Sequence, residues 1–114
     1  MRRNKFGARK TPCAQGHNHA SKREAGRCND LHILERKGEI AALQVEPQFW
    51  FVIDGKQVKH ANGRRVGYKP DFAYIEPGLK DVVEEVKGMV VRDFPLRAAI
   101  FRALFPEFEL RIIT

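Results

Sequence analysis

The stretch that most constrains this chain is DVVEEVKGM, residues 81 to 89. Val82, Val83 and Val86 make it β-prone, because branched side chains suit a pleated surface. Glu84, Glu85 and Lys87 nevertheless put ionised groups inside it. A charge within a central strand costs free energy unless it is paired or serves a site. Residues two apart in a strand share a face. Glu85 and Lys87 therefore point one way with Val83, and Glu84 points the other way with Val82 and Val86. Glu84 is read as structural, with an arginine from either helix as its partner or the rim of a site as its place.

The flanking sequence supplies the rest of a small fold. Ser21 with Glu24 three residues on is a capping-box pattern, and Lys37-Gly38 is a helix stop, so a helix is expected over 21–37. Its apolar side carries Ala25, Cys28, Leu31, Ile33 and Leu34. Ile40, Leu43 and Val45 lead into the β-prone run QFWFVI (48–53). Asp54-Gly55 signals a hairpin, with KQVKH as a short return strand. After a turn at 61–63, residues 64–75 read as a strand with an irregularity at Pro70. Pro77-Gly78 turns the chain into the strand 80–87, which Gly88 ends. A second helix is expected over 94–105, with Asp93 as cap and Pro95 in its first turn. Pro106 stops it, and the strand 108–113 follows as a parallel crossover.

The order is thus helix, three or four strands, helix, strand: a mixed α/β fold in one domain over 11–114, behind a flexible basic arm at 1–10. The chain's 114 residues fit one domain, and 43% hydrophobic content is enough for a core. A net charge of +7 points to a polyanion, nucleic acid first. No apolar run approaches the ~18 residues of a membrane span. The basic start lacks the apolar segment of a secretory signal, and two cysteines without one point to a reducing, cytoplasmic setting.

If the strand holding Asp71 pairs with its neighbour through Pro77-Gly78, Asp71 and Glu85 converge. Two carboxylates with room for water suit Mg²⁺, and a lysine beside them can handle water or stabilise phosphate charge. This is a constellation for phosphodiester hydrolysis. Pro70-Asp71 followed by Glu85-Val86-Lys87 resembles the PD-(D/E)XK nuclease signature, proline included, and the order αβββαβ is similar to that superfamily's core. SKREA, GYKPDFAY and VVEEVKGMVVRDF together look like a small phage and prophage family placed there, over roughly residues 5–113.

The resemblance implies that Asp71, Glu85 and the Val86 carbonyl hold Mg²⁺ or Mn²⁺, that Lys87 handles the attacking water, and that Glu24 completes the acidic site. It implies an endonuclease cutting DNA, with branched or Holliday-junction-like recombination intermediates as first substrate, in the cytoplasm of a bacterial host. Cutting two strands would call for a homodimer.

Several residues keep two readings. Glu24 is a capping-box partner, a site residue, or both. Asp71 and Lys87 form either a catalytic pair or a cross-strand salt bridge. Arg64, Arg65 and Lys69 are phosphate contacts or a solvated strand edge. Arg92 and Arg97 flank a helix N-terminus, which favours phosphate. Lys56, Lys59 and His60 are weaker candidates.

Cys13, His17, His19 and Cys28 are a possible zinc set, against a buried cysteine beside exposed histidines. His17-Asn18-His19 does not make an HNH nuclease. Phe49 and Phe51 are expected in the core, with Trp50 open. The rival to the nuclease is a non-catalytic, zinc-stabilised DNA-binding module of similar fold, and an RNA-directed role stays open.

Overall fold

In a computed structural model of the chain, residues 11–12, 18–19, 21–87 and 93–114 are described, the first four as backbone only. The basic arm expected over 1–10, Cys13, His17 and Arg92 lie outside the described residues. Two short strands, β1 (Thr11–Pro12) and β2 (Asn18–His19), form an antiparallel pair ahead of helix α1 (Lys22–Arg36).

The α1 boundaries follow from local chemistry. Ser21 is extended (φ −147°), and its hydroxyl accepts the Glu24 N–H at 3.1 Å. Gly38, at φ +78°, takes the left-handed turn that ends the helix.

Strands β3 (Ala41–Val45), β8 (Phe72–Glu76), β9 (Lys80–Val86) and β10 (Phe108–Ile113) form the four-stranded sheet, in the order β10-β9-β8-β3. The β3–β8 and β8–β9 pairs are antiparallel and β9–β10 is parallel. Helix α2 (Phe94–Leu104) carries the chain across from β9 to β10. The fold is therefore mixed, two helices with a mixed sheet. Among the described residues, no helix is long and apolar enough to cross a membrane.

Two expected strands are divided. The run 48–53 becomes β4 (Phe49–Trp50) and β5 (Val52–Ile53), and β5 pairs with β6 (Lys56–Gln57). Asp54 and Gly55 turn that hairpin with φ values of +51° and +74°. The run 64–75 becomes β7 (Gly67–Tyr68), which pairs with β4, and β8. Pro70, without an N–H, lies at the break between them. The four-stranded sheet instead takes Ala41–Val45, which sequence patterning treats only as a lead-in.

The reason for this division is packing. Phe51 is fully buried, and Phe49 packs edge-to-face on Phe101, Phe105 and Phe108, with centroids 5.0–5.2 Å apart. The aromatic run thus lines the core under α2 rather than extending the sheet. The two sheet faces have separate cores. Ala25, Cys28 and Leu31 of α1 cover Phe72, Tyr74, Val82 and Val86, whereas Phe101 of α2 packs with Phe51, Tyr68, Ala73 and Val83. Adjacent residues of β9 therefore face different helices.

Candidate functional site

The β8–β9 register pairs Phe72 with Glu84, so one step further out Asp71 stands opposite Glu85. The Asp71 N–H donates to the Glu84 carbonyl at 3.0 Å, which extends the ladder to that point. Asp71 Oδ2 accepts the Val86 N–H at 2.6 Å. Glu85 Oε1 accepts the Tyr68 hydroxyl at 2.5 Å. Glu24, 4% exposed in the first turn of α1, brings a further carboxyl against Asp71.

This crowding has an electrostatic consequence. Burial, then the Glu85 and Glu24 charges, push the Asp71 carboxyl up to about 8, against the lowering by the Val86 N–H. Burial also raises Glu85, opposed by its hydrogen bonds to Tyr68 and Asp71. The Tyr68 hydroxyl is raised by burial and by Glu85. The carboxyls therefore hold a proton among themselves near neutral pH.

The donors are hard oxygens, the set Mg²⁺ prefers. Among the described residues, no group of three or more His, Cys, Asp or Glu side chains is disposed to hold a metal ion together. Asp71 interacts with both Glu85 and Glu24, and the Glu24 charge also acts on Glu85. A pair suffices for Mg²⁺, which commonly takes one or two protein carboxylates and keeps waters or substrate phosphate oxygens.

Lys87 follows β9 directly and is exposed, its N–H bonded to the Ile113 carbonyl at 2.8 Å. Among the described residues its ammonium has no ion-pair partner, so the salt bridge to Asp71 does not form. The Lys87 carbonyl accepts from Arg23 of α1 at 2.7 Å.

Glu84 lies on the other face and is fully buried. Arg27 meets it with a two-pronged pair at 2.8 and 2.7 Å, and the Tyr74 hydroxyl donates to it. The arginine partner expected for it thus comes from the first helix. Arg23, Glu24 and Arg27 together fasten the start of α1 to the end of the β8–β9 pair. Sequence reading missed Arg27 and Tyr68. Spacing offered a signal for Arg27, which lies one helical turn after Glu24, but none for Tyr68, which lies three residues before Asp71 and out of step with strand alternation.

A hollow of about 380 Å³ opens beside Glu85, lined by Trp50, Arg65, Tyr68, Lys69 and Arg97 among others. The Arg65 guanidinium lies 3.9 Å from the Trp50 ring centroid, and Lys69 Nζ is 3.9 Å from Glu46. Arg97 is already engaged: it bonds Asp93 at 2.8 Å and donates to the Gly67 carbonyl, which fixes α2 to β7. Arg64 is exposed but does not line this hollow. Cys28, of the possible zinc set, is fully buried under α1 with its sulfur 3.6 Å from His32 Nδ1, and only the backbone of His19 is described.

Alkaline conditions should weaken the cation-free fold. Below about pH 4 folded and unfolded chains both hold the Asp71 proton. Between there and about 8 only the folded chain keeps it, so stability falls as pH rises through that window. In EDTA the melting temperature is expected to drop from pH 5.5 to 8.5. Asp71→Asn is expected to flatten that slope, and an unchanged slope in the variant would reject this assignment.

No curated protein and no solved structure matches the chain. A family model matches residues 3–114, nearly the whole length, and the chain belongs to that family, described as protein of unknown function (DUF1064).

Proposed function

We propose that this protein is a Mg²⁺-dependent endonuclease of the PD-(D/E)XK type, hydrolysing phosphodiester bonds in DNA. The observation that carries the proposal is the half-buried Asp71–Glu85 pair beside an unpaired lysine. Crowding like charges away from water is costly, and a perturbed carboxyl pair beside a cleft is a candidate functional site. The basic net charge and the cationic hollow beside Glu85 agree with a polyanionic substrate.

Asp71 and Glu85, with the Val86 carbonyl, would hold Mg²⁺ (or Mn²⁺). The ion supplies Lewis-acid stabilisation of the charge that builds on the phosphate. The chain's own residues do the rest. The Tyr68 hydroxyl fixes the rotamer of Glu85, and the Val86 N–H fixes that of Asp71. Lys87 orients the attacking water and offers a cation to the phosphate oxygens. The water oxygen bonds to phosphorus, the bond to the leaving sugar oxygen breaks, and that oxygen takes up a proton while the water loses one. Glu24 adds negative charge that favours the cation. Lys69 contacts the DNA backbone from the same hollow.

A cleavage panel tests this directly. Purified protein with Mg²⁺ or Mn²⁺ is expected to cut at least one of linear, nicked, flapped or four-way-junction DNA, with recombination-type branched DNA as the expected preference. EDTA is expected to stop it. Absence of cutting on every substrate with either ion would overturn the proposal.

A further inference from the structure

Trp50 stands out among the described aromatic side chains. Phe49 and Phe51, its neighbours, pack into the α2 core, but Trp50 is 36% exposed. Exposing an indole forgoes the burial of a large apolar surface. The ring is nevertheless held in place. Trp50 pairs with Gly67 across β4–β7, and a Cβ added to Gly67 would come 2.9 Å from its ring edge. Arg65 lies over it in the cation–π arrangement. A rigid aromatic ring and a flat guanidinium are both surfaces on which a nucleobase stacks. They line the same hollow as Glu85 and Lys69, whose 380 Å³ lies within the usual range for a bound small molecule of about 300–1000 Å³.

We infer that the hollow takes up an unpaired nucleobase, stacked against the Trp50–Arg65 pair, from the strand whose phosphate lies at Glu85. The substrate class is therefore DNA with at least one unpaired nucleotide beside the cut: a bulge, a flap or the branch point of a junction. Within a continuous duplex both base faces are already stacked on neighbours, and flipping a base out costs a few kcal/mol. The preference for unpaired DNA follows from that cost. Only the position of the base relative to the cut rests on the nuclease reading. The stacking itself does not.

Trp50 is the chain's one tryptophan, so its emission reports on this surface alone. The experiment titrates the full chain, in EDTA, with three DNAs: a paired duplex, the same duplex with a one-nucleotide bulge or a flap, and a single strand. Bulged, flapped and single-stranded DNA are expected to quench Trp50, and the paired duplex is not. Trp50→Ala is expected to weaken binding of the unpaired DNAs on the order of 5- to 150-fold while leaving duplex affinity within about twofold. Trp50→Phe keeps a ring in place and decides the matter if the alanine variant does not fold. It is expected to lose less than the alanine variant, and again only on unpaired DNA.

Equal quenching by the paired duplex, equal loss on all three DNAs, or no binding to any of them overturns the inference. The two readings separate cleanly. Selective quenching without cleavage in Mg²⁺ removes the nuclease and keeps the stacking surface. Cleavage that the Trp50 variants leave equally selective does the reverse.

Discussion

Glu85→Ala and Asp71→Ala are expected to abolish cleavage while leaving DNA binding intact. Each removes half of the carboxylate pair that would hold the cation. Losing the ion's charge stabilisation, or a single preorganised donor, lowers such rates by roughly 10²–10³-fold or more. Lys87→Ala is expected to fall in the same range, with weaker binding because a cation is lost. Lys87→Arg separates two roles for that residue. Arginine keeps the charge but does not give up its proton near neutral pH. Recovery in the arginine variant would limit Lys87 to charge stabilisation, and failure to recover would assign it the proton of the attacking water. Glu24→Gln is expected to give a smaller loss, since it keeps the side chain's size and hydrogen bonding but removes its charge from the cluster. Single-turnover cleavage and metal-free binding, measured side by side, check all of these. Asp71→Ala or Glu85→Ala protein that cuts at the wild-type rate would sink the assignment.

The legible parts of the fold were those set by local chemistry. Ser21, Glu24 and Gly38 marked α1, Asp54-Gly55 marked the hairpin, and Pro77-Gly78 joined the strands whose register sets Asp71 against Glu85. Strand alternation alone separated Glu84 from Glu85, and the two cores on opposite sheet faces give that separation its cause. What escaped was decided by packing between distant segments. The most β-prone run left the four-stranded sheet because Phe49 and Phe51 find Phe101, Phe105 and Phe108 under α2. The weaker Ala41–Val45 took the place beside β8. Tyr68 was hidden for the same reason: its hydroxyl reaches Glu85 only because β7 lies on the α2 face. Arg97 read as a phosphate contact, yet Asp93 and the Gly67 carbonyl engage it, and no sequence rule pairs a guanidinium with a carbonyl 30 residues away.

Arg27→Met is expected to destabilise the protein strongly. It leaves the Glu84 carboxyl fully buried, with the Tyr74 hydroxyl as its remaining side-chain partner among the described residues. Stripping one member from a buried ion pair costs about 3–5 kcal/mol. The Arg27 side chain is 26% exposed, so water softens the loss toward the lower end of that range. A chain of this size should then melt on the order of 10–15 °C lower. The pair itself is not the source of stability, because desolvating both charges offsets much of their attraction. Arg27→Met combined with Glu84→Leu and Tyr74→Phe should therefore melt close to wild type, with no buried charge left unpaired. A combined variant as unstable as Arg27→Met alone would contradict this account. The combination also separates stability from positioning. Arg27 and Glu84 clamp the start of α1 to β9, and Glu24 reaches Asp71 from the turn before Arg27. A restored melting temperature with cleavage still reduced would show that the buried pair sets where Glu24 stands, and that the structural glutamate of EEVK serves the site through the helix it holds.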